Sequence, residues 1–160
     1  MRLVRGFVER TIPTLYPDWT IEFDIQPLTI KSGWNNILHL SEGGPEDKYL
    51  EHPVTPAIWF SSGTSIVVYM TKGTSPSVHV VESSALALKQ WTSVKISQTS
   101  NAAGNVEFVV KVQDKVIHSE VLSKPREFHD VNVFAGNPWY PAADAMIKNL
   151  YIETTEGENK

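Results

Sequence analysis

The chain has 160 residues, 41% of them hydrophobic and 20% charged, which suits one packed domain and argues against a disordered segment. Its 14 Lys and Arg are scattered and the formal net charge is −4, so a phosphate-binding surface for nucleic acid is not expected. It has no cysteine, which excludes disulfides and Cys-based zinc sites, and no apolar run approaches the ~20 residues of a membrane-spanning helix, so membrane insertion is not expected either.

From the N-terminus, Glu9 and Arg10 interrupt any apolar stretch, so the start does not read as a signal peptide. The sequence reads instead as a module of a larger protein. The dominant pattern is alternation of apolar and polar residues, broken by turn residues roughly every 8–12 positions. Strands are predicted over 3–9, 19–26, 35–41, 56–61, 65–71, 77–82, 92–98, 106–112, 115–122, 129–135 and 145–153. In Trp19–Gln26 the odd positions are apolar, and Val106, Phe108, Val110 and Val112 form the inward face of a second clear case. Gly43-Gly44-Pro45, Ser62-Gly63, Gly104-Asn105 and Gly136-Asn137-Pro138 mark turns, and Gln113-Asp114 is predicted to close a tight hairpin. The one hint of helix is a single turn near Ser83–Leu88. So many antiparallel strands must pack as two sheets to hide their edges. The expectation is an all-β, two-sheet antiparallel jelly-roll sandwich over residues 1–153, with a polar C-terminal tail over 154–160.

Several segments carry a family resemblance. Leu86 to Gln98, with Trp91, Val94 and Ile96, resembles the "L-x-x-x-x-W-x-x-V-x-I" segment of laminin-G-like and concanavalin A-like domains. The hairpin from Asn105 to Leu122 and the ending Val131–Tyr140 with Ala145–Ile152 are similar to the same family's later strands. Trp19–Gln26 and Trp34–Glu42 resemble its first core strands. The resemblance implies a concanavalin A-like sandwich with Trp19 and Trp91 in the core. It also implies a calcium ion held in rim loops, with candidate ligands in Glu42–Asp47 and at Asp130, Asn132, Asn137 and Asp144. Calcium needs about six to eight oxygens.

Glycosidases on this fold carry E-x-D-x-x-E or E-x-D-x-E strands. Glu22, Asp24 and Gln26 share a face, but Gln26 cannot supply the acid that such hydrolysis requires, so a solvated sheet face is expected there. His39, His52, His79, His118 and His129 show no metal-protease spacing, and there is no nucleophile elbow or phosphate loop. The best hint of binding is aromatic. Trp34, Trp59, Trp139 and Tyr140 lie beside turns, where rings can stack on the apolar faces of sugars. Asn137-Pro138-Trp139-Tyr140-Pro141 is a proline-flanked loop with two large rings, which either face a ligand or fold back as a cap. The loop from Ser41 to Thr55 is the second candidate rim.

The expectation is a non-enzymatic, lectin-like carbohydrate-binding domain that uses Trp34, Asn137, Trp139 and Tyr140. The alternatives are a laminin-G-like interaction or adhesion domain of a larger extracellular protein and, less favoured, a glycoside hydrolase. The expected partners are a glycan or an extracellular protein, at the cell surface or outside the cell.

Overall fold

The computed structural model describes residues 1–42, 56–71, 78–123 and 125–157, with backbone alone for Thr71 and residues 78–80. These residues form strands and no helix. In chain order the strands are β1 Val8–Leu15, β2 Asp18–Pro27, β3 Trp34–Glu42, β4 Ala57–Ser61, β5 Ser65–Thr71, β6 Val78–Ala85, β7 Thr92–Ser100, β8 Val106–Val112, β9 Lys115–Leu122, β10 Phe128–Phe134 and β11 Ala145–Thr155. Two antiparallel sheets result, a six-stranded one ordered β1-β10-β3-β4-β5-β6 and a five-stranded one ordered β11-β2-β7-β8-β9. Among the described residues no helix is long and apolar enough to cross a membrane.

The core lies between the sheets. Alternation sends Ile21, Phe23 and Ile25 of β2 and Val106, Phe108 and Val110 of β8 inward from one side. Leu38 and Leu40 of β3, Ile58 and Phe60 of β4, and Ile66 and Val68 of β5 meet them from the other. The Gln113-Asp114 hairpin forms as expected. Val112 pairs with Lys115, and both loop residues have positive φ, 54° and 59°, which gives the backbone twist a two-residue hairpin needs.

Four expectations are corrected. The first strand is Val8–Leu15, not 3–9; Pro13 is tolerated because β1 is an edge strand, and no pair with Pro13 occurs in its ladder with β10. The last strand runs on through Thr155, with Thr154 opposite Trp19 and Thr155 opposite Asp18, so the tail begins later than 154. Ser83–Leu88 holds no helical turn, since β6 continues to Ala85. Trp91 is not core. It immediately precedes β7, whose Thr92, Val94 and Ile96 turn inward, so its ring faces outward, 38% exposed, with the Lys148 ammonium 4.2 Å from the ring centre.

Candidate functional site

The strands at the centre of the six-stranded sheet are apolar on both faces. In β4, Ile58 and Phe60 enter the core, whereas Ala57 and Trp59 point to the sheet's other side. In β5, Val67 and Tyr69 do the same. Ala57, Trp59 and Val67 are nonetheless buried, because this face is covered. A near-continuous apolar run is the pattern of a strand covered on both sides.

Part of the cover is the segment that follows β10. Its backbone is fastened to β3 around Asn36. The Asn36 amide donates to the Pro141 carbonyl at 2.9 Å, and Ala143 N–H donates back to the Asn36 carbonyl at 2.9 Å. Gly136 N–H donates to the Ile37 carbonyl at 3.1 Å. A register irregularity between Asn36 and Leu38 interrupts the β3–β4 ladder at this place. The Asn36 side chain, fully buried, reaches the Ile58 and Leu38 carbonyls with its amide nitrogen and accepts Asn137 N–H at 2.8 Å.

Asn137 organises the loop. Its Oδ1 accepts the backbone N–H of Trp139 at 3.2 Å and of Tyr140 at 2.9 Å. That leaves Nδ2 toward His39 Nδ1, 3.0 Å away. Nδ2 can only donate, so His39 Nδ1 must offer its lone pair and the imidazole is neutral. Burial acts in the same direction, lowering the His39 pKa from 6.5 to about 4. Trp59 and Trp139 stand edge-on to the His39 ring, with centroids 6.2 and 5.4 Å away.

A pH dependence follows. The unfolded chain takes up a proton at His39 below its ordinary pKa of 6.5, whereas the folded chain resists until about 4. This contribution to stability is complete above 6.5, is lost as the pH falls from 6.5 to 4, and amounts to about 3 kcal/mol. Thermal unfolding across that window should show the decline, and His39→Phe should flatten it. An equal slope in both proteins would refute the assignment to His39.

Trp34, Trp59, Tyr69 and Tyr140 line an open-sided pocket of about 160 Å³, with the buried Trp59 at its floor. Its walls stand at near right angles. Trp34 meets Trp59 at 87° with centroids 6.2 Å apart, and Tyr69 at 78° and 5.5 Å. Trp59 meets Tyr140 at 88° and 5.0 Å. Trp34, 41% exposed, is the open wall.

The anticipated ligand residues thus separate. Trp34 and Tyr140 line the pocket, and Trp139 packs beside it on His39 and Phe134. Asn137 is corrected: fully buried, with its amide committed to the loop and to His39, it positions the rings and does not face a ligand. Tyr69 and His39 complete the constellation without a sequence motif. Their one signal is parity, since both fall on the outward-facing set of the central strands. The Ser41–Thr55 rim lies outside the described residues from 43 onward.

The anticipated calcium ligands do not assemble. Asp144 is bound by Arg2 at 2.6 Å and by the Thr29 hydroxyl. The Thr29 hydrogen bond, then Arg2 and Lys31, hold its carboxyl below the ordinary range. Asn132 Oδ1 takes the Thr11 hydroxyl at 2.9 Å, and Asp130 is exposed on β10 of the six-stranded sheet. Glu42 holds Arg126 and His129 N–H. Among the described residues no three His, Cys, Asp or Glu side chains are grouped to share an ion.

Glu22 and Asp24 line a separate groove of about 340 Å³ on the outer face of the five-stranded sheet. Glu22 pairs with Lys95 at 2.8 Å, Asp24 accepts from Asn149 at 2.8 Å, and Gln26 donates to the Lys89 carbonyl at 3.0 Å.

The fold is the concanavalin A-like jelly-roll sandwich. No protein-family model matches the chain, and no curated protein matches it by sequence. Solved structures do match. A heptameric SAP-like pentraxin from Limulus polyphemus has a TM-score of 0.62 at 10% identity, over 94% of this chain and 74% of that one. Sheep galectin-11 has a TM-score of 0.53 at 14% identity, over 94% and 99%. The endo-β-1,4-glucuronan lyase of Trichoderma reesei has a TM-score of 0.62 at 10% identity, over 96% and 79%. Identities this low describe a shared fold.

Proposed function

We propose that the chain is a non-enzymatic, lectin-like module that takes a carbohydrate-bearing ligand in the aromatic pocket of the six-stranded sheet. The carrying observation is the box of Trp34, Trp59, Tyr69 and Tyr140, open at Trp34. Rings so placed offer apolar contact to the C–H face of a sugar. At about 160 Å³ the box is smaller than the ~300–1,000 Å³ of pockets that enclose drug-sized ligands, so it takes one residue or substituent of a longer molecule. The setting of this reading is extracellular or cell-surface, where such ligands are displayed. Similarity of fold to galectin and pentraxin structures is consistent with it. A non-enzymatic role is favoured because Glu22 is tied to a lysine, Asp24 to an amide, and Gln26 stands where a third acid would be needed.

The test is a glycan array read alongside intrinsic tryptophan fluorescence. Saturable binding that falls at least tenfold in Trp34→Ala is expected. Binding unchanged in that variant, or none on the array, would refute the reading. A protein-interaction role has one observation in its favour: β9, at the end of its sheet, exposes Val116 by 50% and Val121 by 60%. Val121→Lys would then abolish partner capture while sparing the pocket.

A further inference from the structure

The aromatic box has a chemistry more specific than sugar stacking. A pyranose is recognised by one flat ring against its C–H face together with amide and carboxylate partners for its hydroxyls. Here adjacent walls stand at 78–88°. The nearest amides are spent inside the protein: Asn35 on the Ser32 and Gly33 carbonyls, Asn36 on Ile58 and Leu38, Asn137 on its own loop. Hydrogen bonds to a sugar would therefore have to come from the ring edges of the walls, their phenol O–H and indole N–H groups, and not from these amides.

A methylated ammonium group has the opposite requirements. When trimethylated it has no N–H donor to satisfy, its positive charge is spread over C–H groups, and it is attracted to the π faces of indole and phenol rings on several sides at once. An anionic group stands on the same face of the sheet, outside the pocket lining: Glu82 of β6 lies opposite Val67. On β4, Ser61 lies directly opposite Trp34, and its hydroxyl donates to Glu82 Oε1 at 3.1 Å. The chain as a whole carries a formal charge of −4, which favours a cationic ligand at long range.

We propose that Trp34, Trp59, Tyr69 and Tyr140 form a cage for a methylated ammonium group, with Glu82 as the neighbouring counter-charge. This rests on the pocket being the ligand site and names the part of the ligand that fills it, a trimethylammonium-type substituent on the molecule that carries it.

The probe is choline chloride, titrated at constant ionic strength against tryptophan fluorescence. The comparator is 3,3-dimethylbutan-1-ol, its uncharged isostere. Choline should quench saturably and bind at least tenfold more tightly than the alcohol. Trp34→Ala should abolish the quench, Trp34→Phe should retain the fold and weaken binding several-fold, and Glu82→Gln should weaken choline but leave the alcohol unchanged. Equal affinity for choline and alcohol, or no saturable quench by choline, overturns the cage. The two readings fail separately. Array binding with no saturable choline quench sinks the cage and leaves the glycan site, whereas choline binding with a blank array does the reverse.

Discussion

Gly136→Ala is expected to lower the stability of the domain by about 4 kcal/mol, combining ~1–2 for the left-handed backbone with ~1–3 for the forced shift of packed neighbours. Gly136 has φ of +98°, a region that side chains rarely enter. A Cβ built there would lie 2.5 Å from the Val4 carbonyl oxygen and 2.9 Å from its carbon, with Ala142 Cβ at 3.3 Å. The first two are backbone atoms and cannot swing aside as the end of a long side chain would. The carbonyl and amide of Gly136 are also both in use, toward Gly6 and Ile37, so the chain cannot rotate without breaking those bonds. Typical domains are stable by only ~5–15 kcal/mol, so the loss is a large share of the total. Urea denaturation should show a lower midpoint at an unchanged slope, and melting should fall by roughly 10 °C. A change under about 1 kcal/mol would mean that the N-terminal segment does not cross Gly136 as described.

Asn137→Ala should cost about 3 kcal/mol, because one truncation removes three hydrogen bonds at once, one of them to the buried His39. The N–H groups of Trp139 and Tyr140 lose their acceptor, and His39 Nδ1 loses its donor. The effect on binding should be as large, since Tyr140 is a wall of the pocket and is held by that hydrogen bond. Asn137→Asp separates the loop role from simple loss of packing. A carboxylate still accepts the two N–H groups but now faces Nδ1 with an acceptor, which favours a protonated imidazole. The His39 pKa should therefore rise well above its value of about 4, as read by NMR titration of the ring protons. A pKa that stays near 4 in that variant would show that Asn137 does not face His39 as described.

The alternation in Trp19–Gln26 and Val106–Val112 made one half of the sandwich legible, because a strand with one wet face writes its geometry into a period of two. The central strands of the other sheet carry less of that signal. Ala57-Ile58-Trp59-Phe60 is apolar at every position, so sequence does not say which face holds a core and which a site. Trp91 misled for a related reason. A large ring beside apolar positions suggests burial, yet a residue just outside the strand follows the strand's parity, and Lys148 supplies its cover. Asn137 was visible as a turn residue, but its role depends on His39 and Asn36, about a hundred residues away in the chain.

What the amino-acid sequence determined by itself was the all-β character, the pairing of inward positions along each clear strand, the tight hairpin at Gln113-Asp114, and the presence of rings beside turns. These are local properties, set by neighbouring residues and by backbone geometry. What only the tertiary structure decided was which rings meet. Trp34, Trp59, Tyr69 and Tyr140 come from three adjacent strands and the returning loop after β10, and they share a pocket because the bonds at Asn36 and Asn137 hold that loop against the sheet. Contacts between residues distant in the chain follow from how the sheets are ordered and where the loop closes, and no local pattern encodes that order.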